Sequence, residues 1–510
     1  MPKTKASQKG IDTPLAKNTP AARWFQMLMQ NQTFWTAPLV SFLFAMLVRS
    51  GVALNPYSGF RTPPLFGDYE AQRHWMEITI HLPISKWYRY DLQWWGLDYP
   101  PLTAYHSWLC GIVGSWINPA WFALDTSRGF ESPESKHFMR GTVTFWEAVI
   151  FIPAVLVFTQ ICYGKQGYLK KNIAALLVLL HPALIIIDHG HFQFNSIMLG
   201  TTLWAVNCFM MQKYVLGSVF FCLSLAFKQM ALYYAPAVFA FLLGRCFKEP
   251  KGINLFIKLG ITVLATFGAL LAPFLTSTQD IQQVIHRVFP VARGLYEDKV
   301  ANIWCAVNVV IKLRQILDLQ TAVRLSLAAT CLAMLPSVIH LGLNPSRKRM
   351  MYGLVNCSMA FFLLSFQVHE KTILLPILPI MLLTLEEPWA VQLFTNVAMF
   401  SMYPLLKRDD LILPYFLTTI LWNYVAGYHV LSMPRAVKWM SAVCYTSMIA
   451  WHLTEANIPA PANLPDIYTV LNVLFSCGCF SLAFIYFNWR QFNLLDNVPE
   501  TLEEQKKKQN

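Results

Sequence analysis

Apolar runs of about twenty residues alternate with short polar turns along this chain, and two polar stretches are much longer than the rest. A run of that length is what a helix needs to cross a bilayer core of about 30 Å. The pattern predicts spans near 37–54, 141–163, 173–187, 196–212, 215–229, 231–247, 254–275, 321–341, 351–367, 372–385, 389–406, 411–430, 436–455 and 468–487, roughly fourteen in all. Residues 55–140 and 276–320 hold too many charges to be buried and read as two long loops. Inside the first loop, 102–117 is apolar but short, flanked by Pro100-Pro101 and Asn118-Pro119, which suits an interfacial or re-entrant helix. Residues 67–82 read as a surface helix, with Trp75, Ile78 and Leu82 on one face and Glu70, Arg73, His74 and Glu77 on another.

Composition turns this pattern into a class. Of the 510 residues 55% are hydrophobic and only 13% charged, against about 25% in an ordinary soluble domain. The expectation is an all-α polytopic membrane protein. Its parts are a tail (1–36), an N-terminal module (37–275), a loop (276–320), a C-terminal module (321–488) and a second tail (489–510). The net charge of +13 sits in the tails and in short turns between spans, which places both termini in the cytosol and both long loops in the lumen. One loop disobeys, since Lys407-Arg408-Asp409-Asp410 falls on the lumenal side. No basic stripe with interleaved aromatics is present, which excludes nucleic-acid binding. The eleven cysteines contain no CxxC pair and support neither a zinc site nor a disulfide framework. Lys507 and Lys508 read equally as a dilysine endoplasmic-reticulum signal or a solvated tail.

Candidate chemistry gathers on one side of the membrane. Asp68, Glu70 and Asp98 lie in the first loop, and Asp188-His189 closes the third span. His286, Arg293 and Lys299 come from the second loop, and His369 and Lys371 from a later turn. Carboxylates facing imidazoles and cations at a lipid–water boundary suit group transfer from a lipid phosphate. A carboxylate deprotonates the acceptor hydroxyl while a cation neutralises the departing phosphate. Plainer readings exist for each. Asp68 serves as a helix N-cap, the loop tryptophans as an interfacial belt, and Asp188-His189 as the cap of a span. Glu147 and Lys228 are the costly placements inside spans, where an ionisable group carries a functional hypothesis by default. A transporter would spread ionisable groups through the midplane and often show an inverted repeat, and a scaffold would not need Asp68.

The motifs narrow the choice. Gly67-Asp68-Tyr69-Glu70-Ala71-Gln72-Arg73-His74-Trp75 and Trp95-Gly96-Leu97-Asp98-Tyr99-Pro100-Pro101 resemble the dolichyl-phosphate-glucose-dependent glucosyltransferases of the endoplasmic reticulum. The segments 188–195, 226–230, 289–294 and 366–372 extend the resemblance in the same order. It implies a GT-C fold with a lumenal active site. The implied donor is dolichyl-phosphate-glucose, and the acceptor the nine-mannose oligosaccharide on dolichyl diphosphate. An α-1,3 bond would form by one inverting displacement. By the same resemblance Asp68 is the base; around it the chemistry assigns Asp98 as a second catalytic candidate, Asp98 and Glu70 to orient Asp68 or the sugars, and Asp188 and His189 to substrate binding. His369 and Arg293 meet the donor phosphate, with Lys371, Lys299 and His286 as weaker candidates, and no metal or other cofactor is expected. The nearest rival is the sister branch adding the second glucose, against which Gly67 and Ala71-Gln72 argue.

Overall fold

A computed structural model describes residues 19–289, 299–427 and 434–494. Every regular element among the described residues is helical. Among the described residues seven helices are long and apolar enough to cross a membrane: Phe34–Ala53, Pro133–Gln166, Tyr168–Phe192, Gln229–Lys248, Gly252–Phe274, Leu319–Leu343 and Ile467–Phe492. Other expected spans are helical but shorter or more polar, such as Tyr214–Phe227 and Pro388–Arg408. The stretch 372–385 departs from expectation. A 3-10 turn, Glu370–Ile373, leads into an eight-residue helix, Leu374–Met381, with Pro379 inside it. That helix is about 12 Å long, well short of a crossing, because proline removes a backbone donor and cannot continue a ladder.

The apolar exteriors of these helices are those of a multi-pass membrane protein. Leu39, Leu43 and Leu47 are exposed at helical spacing, as are Ile253, Ile257, Ile261 and Leu264. The opposite case is Tyr168–Phe192, which is buried among the other helices from Asn172 onward. Side chains from Ala21 to Phe487 form one continuous apolar cluster, so the two expected modules share a core.

The helix Gly67–His81 is not a surface helix. Eleven of its residues are buried, including the whole polar face. Arg73 donates to Glu70 (2.6 and 2.7 Å), to Glu77 (2.6 Å) and to the Ser127 hydroxyl (2.6 Å), so the buried charges satisfy one another. Nor do the loop tryptophans form a belt. Trp75 and Trp87 join Tyr88, Leu97, Phe274, Val284 and Val288 in a second, smaller core. The helix Pro101–Ile117 packs on Gly67–His81 and turns Trp108, Leu109, Val113 and Trp116 outward, as an interfacial helix should.

Candidate active site

Asp68 is the second residue of its helix, so it is not the N-cap; Phe66 occupies that position in the left-handed region, at φ +55°. The preceding turn depends on a close approach. A Cβ on Gly67 (φ +63°) would stand 2.8 Å from the Gly59 backbone, and one on Gly59 closer still to Phe66. Its carboxylate is therefore free to leave the helix, and it meets groups from three other parts of the chain. Lys371 forms an ion pair with Oδ2, the His191 Nε2 stands 3.0 Å from the same oxygen, and the Gln193 amide donates to it at 2.5 Å. Oδ1 has no hydrogen-bond partner among the described residues, and the side chain is 24% exposed. One oxygen is anchored and the other faces open space.

His191 and Gln193 reach this point because the central buried helix ends irregularly. Its last turn, Ile186–Phe192, is a π turn, Phe192 has φ +83°, and Gln193 is extended. The wider turn moves the side chains off a 3.6-residue period. The Arg140 guanidinium holds the turn by donating to the Gly190 carbonyl (2.8 Å) and the Pro56 carbonyl (3.1 Å). The Ser58 amide donates to the His191 carbonyl at 3.0 Å, which fixes the first loop to the turn. On its other edge, His191 Nδ1 meets Asp409 Oδ2 at 2.5 Å. Asp409 belongs to the short turn that disobeyed the charge rule, and there it is buried, close behind the imidazole.

A second arm runs from Gln193. The Lys228 ammonium donates to Gln193 Oε1 (2.6 Å) and Asn195 Oδ1 (2.8 Å), and it lies 4.9 Å from the Tyr99 ring centroid. Asp98 and Asp68 are both within its Coulombic reach. Lys228 thus joins the Asp98-Tyr99 corner of the first loop to the Asp68 cluster. Burial works against ionisation of Asp68, but the Lys371 ammonium and His191 imidazole outweigh it and hold the carboxyl well below the usual carboxylate range.

Of the other residues singled out from the sequence, several have different work. Glu70 is buried against Arg73 and Trp94 Nε1 (3.3 Å), so it braces the loop and does not face Asp68. Asp188 is fully buried and accepts from the Asn195 and Ser196 backbone amides at 3.1 and 2.7 Å, capping the next helix, Asn195–Met210. His189 points into the helices, 2.5 Å from Glu147, which Arg49 grips with two 2.7 Å bonds. Neither can touch a substrate. His369 caps the 3-10 turn that carries Lys371, its amide donating to Thr372 Oγ1 at 3.2 Å. His286 is exposed on Thr278–Val288, and Lys299 lies 3.8 Å from Asp466, so neither is among Asp68's partners. Arg293 lies outside the described residues. Sequence reasoning missed His191, Gln193 and Asp409 as site residues. The motif Asp188–Asn195 and the misplaced charges at 407–410 were the available signals.

The arrangement can take a proton from a hydroxyl at Asp68 Oδ1 and offers an anion a neighbouring ammonium and imidazole. Several known proteins resemble this chain over most of its length. A Saccharomyces cerevisiae protein, the dolichyl pyrophosphate Man9GlcNAc2 alpha-1,3-glucosyltransferase, is 44% identical over 511 residues, covering 92% of this chain and 93% of its own length. The Gallus gallus protein of that name is 43% identical over 491 residues (89% of this chain, 96% of its own). The Rattus norvegicus one is 44% identical over 492 residues, with the same coverage. The pattern of the family described as ALG6, ALG8 glycosyltransferases matches residues 41–486, from the first long helix through the last, with the whole Asp68 site inside it. The chain belongs to the ALG6, ALG8 glycosyltransferase family.

Proposed function

We propose that this enzyme transfers glucose from dolichyl-phosphate-glucose to the nine-mannose oligosaccharide on dolichyl diphosphate. The new bond is α-1,3, formed by one inverting displacement at the lumenal face of the endoplasmic-reticulum membrane. The relatives' shared name supports the acceptor and the linkage. The observation that carries the chemistry is the split role of Asp68, with Oδ2 held by Lys371, His191 and Gln193 and Oδ1 open.

Ionised Asp68 accepts the proton of an acceptor hydroxyl at Oδ1, and the hydroxyl oxygen attacks the anomeric carbon as the bond to the phosphate breaks. The phosphate leaves as an anion and needs no proton from the enzyme. Lys371 gives the mechanism its timing. Before substrate arrives its ammonium stabilises the carboxylate and makes it a poor base. A donor phosphate competes for that ammonium, and as Lys371 turns towards it Asp68 loses an ion pair and gains basicity. His191, held from behind by Asp409, keeps Oδ2 in register throughout. Gln193 does the same from the Lys228 side. The phosphate leaves with Lys371 and His191 at hand to meet its charge, so the scheme calls on no metal ion.

The test is glucose transfer by purified wild type and Asp68→Asn, with and without EDTA. Wild type is expected to work in EDTA and folded Asp68→Asn to lose at least about 10³-fold, the scale for removing a general base. Near-normal rates in Asp68→Asn would sink the mechanism. Transfer only to the already glucosylated acceptor would move the assignment to the sister branch.

A further inference from the structure

Next to the segments that carry Lys371 and Asp409 lies a cleft of about 180 Å³ that the proposed chemistry does not use. Two separate segments connect it to the site. Glu370, on its rim, precedes Lys371, and Arg408, also on its rim, precedes Asp409. Lys371 reaches Asp68 and Asp409 reaches His191, so the two rim residues are chain neighbours of two members of the Asp68 cluster.

Its lining is unusual for this chain. Trp451 and Tyr468 form an aromatic wall, with the Trp451 indole donating to the Tyr468 carbonyl at 2.9 Å and the Tyr468 hydroxyl to the Ile458 carbonyl at 2.7 Å. Charges of both signs stand around it. Lys407 pairs with Glu455. The Glu370 carboxylate and the Arg408 guanidinium have no hydrogen-bond or ion-pair partner among the described residues. Free donors and acceptors side by side in a wet cleft are suited to a ligand that both gives and takes hydrogen bonds.

Three ligand classes can be weighed against that lining. A phosphate would find Lys407 already paired with Glu455 and Lys299 near Asp466, leaving Arg408 alone to hold it beside the Glu370 carboxylate. A lipid chain would leave the charged groups buried without partners. A neutral, hydroxyl-rich glycan satisfies carboxylate and guanidinium alike, and its apolar sugar faces can lie on the aromatic wall. Resting on the glycosyl-transfer reading above, we infer that this cleft holds mannose residues of the acceptor beyond the one that receives glucose. Glu370 and Arg408 would then be acceptor-positioning groups that bring the correct terminal mannose to Asp68.

The experiment uses the full-length enzyme and two readouts. In steady-state transfer, Glu370→Gln and Arg408→Gln are expected to raise the KM for the nine-mannose acceptor by about three- to tenfold, the scale of one lost hydrogen bond. The KM for the donor should stay within about twofold. A shortened acceptor lacking the mannoses outside the glucosylated arm should bind wild type as weakly as it binds the variants. Independently of turnover, a free nine-mannose glycan should change wild-type tryptophan fluorescence, and Arg408→Gln should weaken that binding by a similar factor. The inference is overturned if the donor KM moves instead, if neither KM moves, or if full and shortened acceptors lose equally. Glycan binding without any transfer would leave the cleft standing and sink the reaction assigned to Asp68.

Discussion

Asp409→Asn isolates the contribution of the group behind His191. The two side chains are 3% and 2% exposed, and their atoms stand 2.5 Å apart, so the bond is shielded from water and charge-assisted. Asparagine keeps the shape and a carbonyl acceptor but removes the charge. A charge-assisted hydrogen bond is worth about 1.5–3 kcal/mol and a neutral one about 0.5–1.5, so the difference is roughly 1–1.5 kcal/mol. At about 1.36 kcal/mol per tenfold, kcat should fall roughly five- to thirteenfold. His191 positions Oδ2 of Asp68 and meets no substrate in this scheme, so both KM values should stay within about twofold. A merely structural role would lower the melting temperature and the amount of folded protein, leaving kcat per folded molecule unchanged. Single-turnover transfer by detergent-purified protein, normalised to the folded fraction, separates the two. An unchanged kcat in folded Asp409→Asn would refute the positioning role.

Other expectations follow from named contacts. Replacing Lys371 by Met leaves Asp68 with burial and without its ammonium, so the acid limb of kcat/KM should move up in pH. In the wild type that limb lies below the ordinary carboxylate range, because a carboxyl held under its usual value stays ionised to lower pH; coincident limbs would disprove the pairing. Glu77 is opposed by burial but lowered to about 2 by His74, Arg73 and the Asp125 amide. Its stabilisation should be fully present above about pH 4.3 and be lost as pH falls towards 2. Glu77→Gln should cost about 3 kcal/mol, read as a lower thermal midpoint at neutral pH; an unshifted midpoint would contradict this. Gly67→Ala forces a Cβ within 2.8 Å of Gly59 at a positive φ, and transfer should drop at least about tenfold as Asp68 shifts. Wild-type rates in that variant would show that the turn tolerates the displacement.

The first loop was legible in the sequence because a dense polar stretch costs hydration beside so much apolar chain, and Asp68 stands at the centre of the site as that argument required. The segment 188–195 was recognised but its members were misassigned. Asp188 and His189 were chosen, whereas His191 and Gln193 face Asp68, because the π turn shifts side-chain directions and no 3.6-residue pattern reveals a π turn. Glu70 was expected to orient Asp68 or the sugars. Two residues along a helix, however, is about 200° of rotation, and it turns inward to Arg73. Lys407–Asp410 was an anomaly of topology, since charge rules weigh loops by sign and cannot see that Asp409 is buried against an imidazole. The number of crossings was the least legible quantity, because helices from eight to twenty-six residues all arise from apolar runs of similar appearance.

Lys371 and Asp68 are 303 residues apart in the chain yet share one ion pair. At about 5–20 residues per second, synthesis needs roughly 15–60 s to deliver the lysine after the aspartate has emerged. Throughout that interval the half-made polypeptide holds a carboxylate with neither its ammonium nor the Asp409 brace. A chain released before codon 371 lacks both contacts, and one released between 371 and 409 can form the ion pair but not the brace.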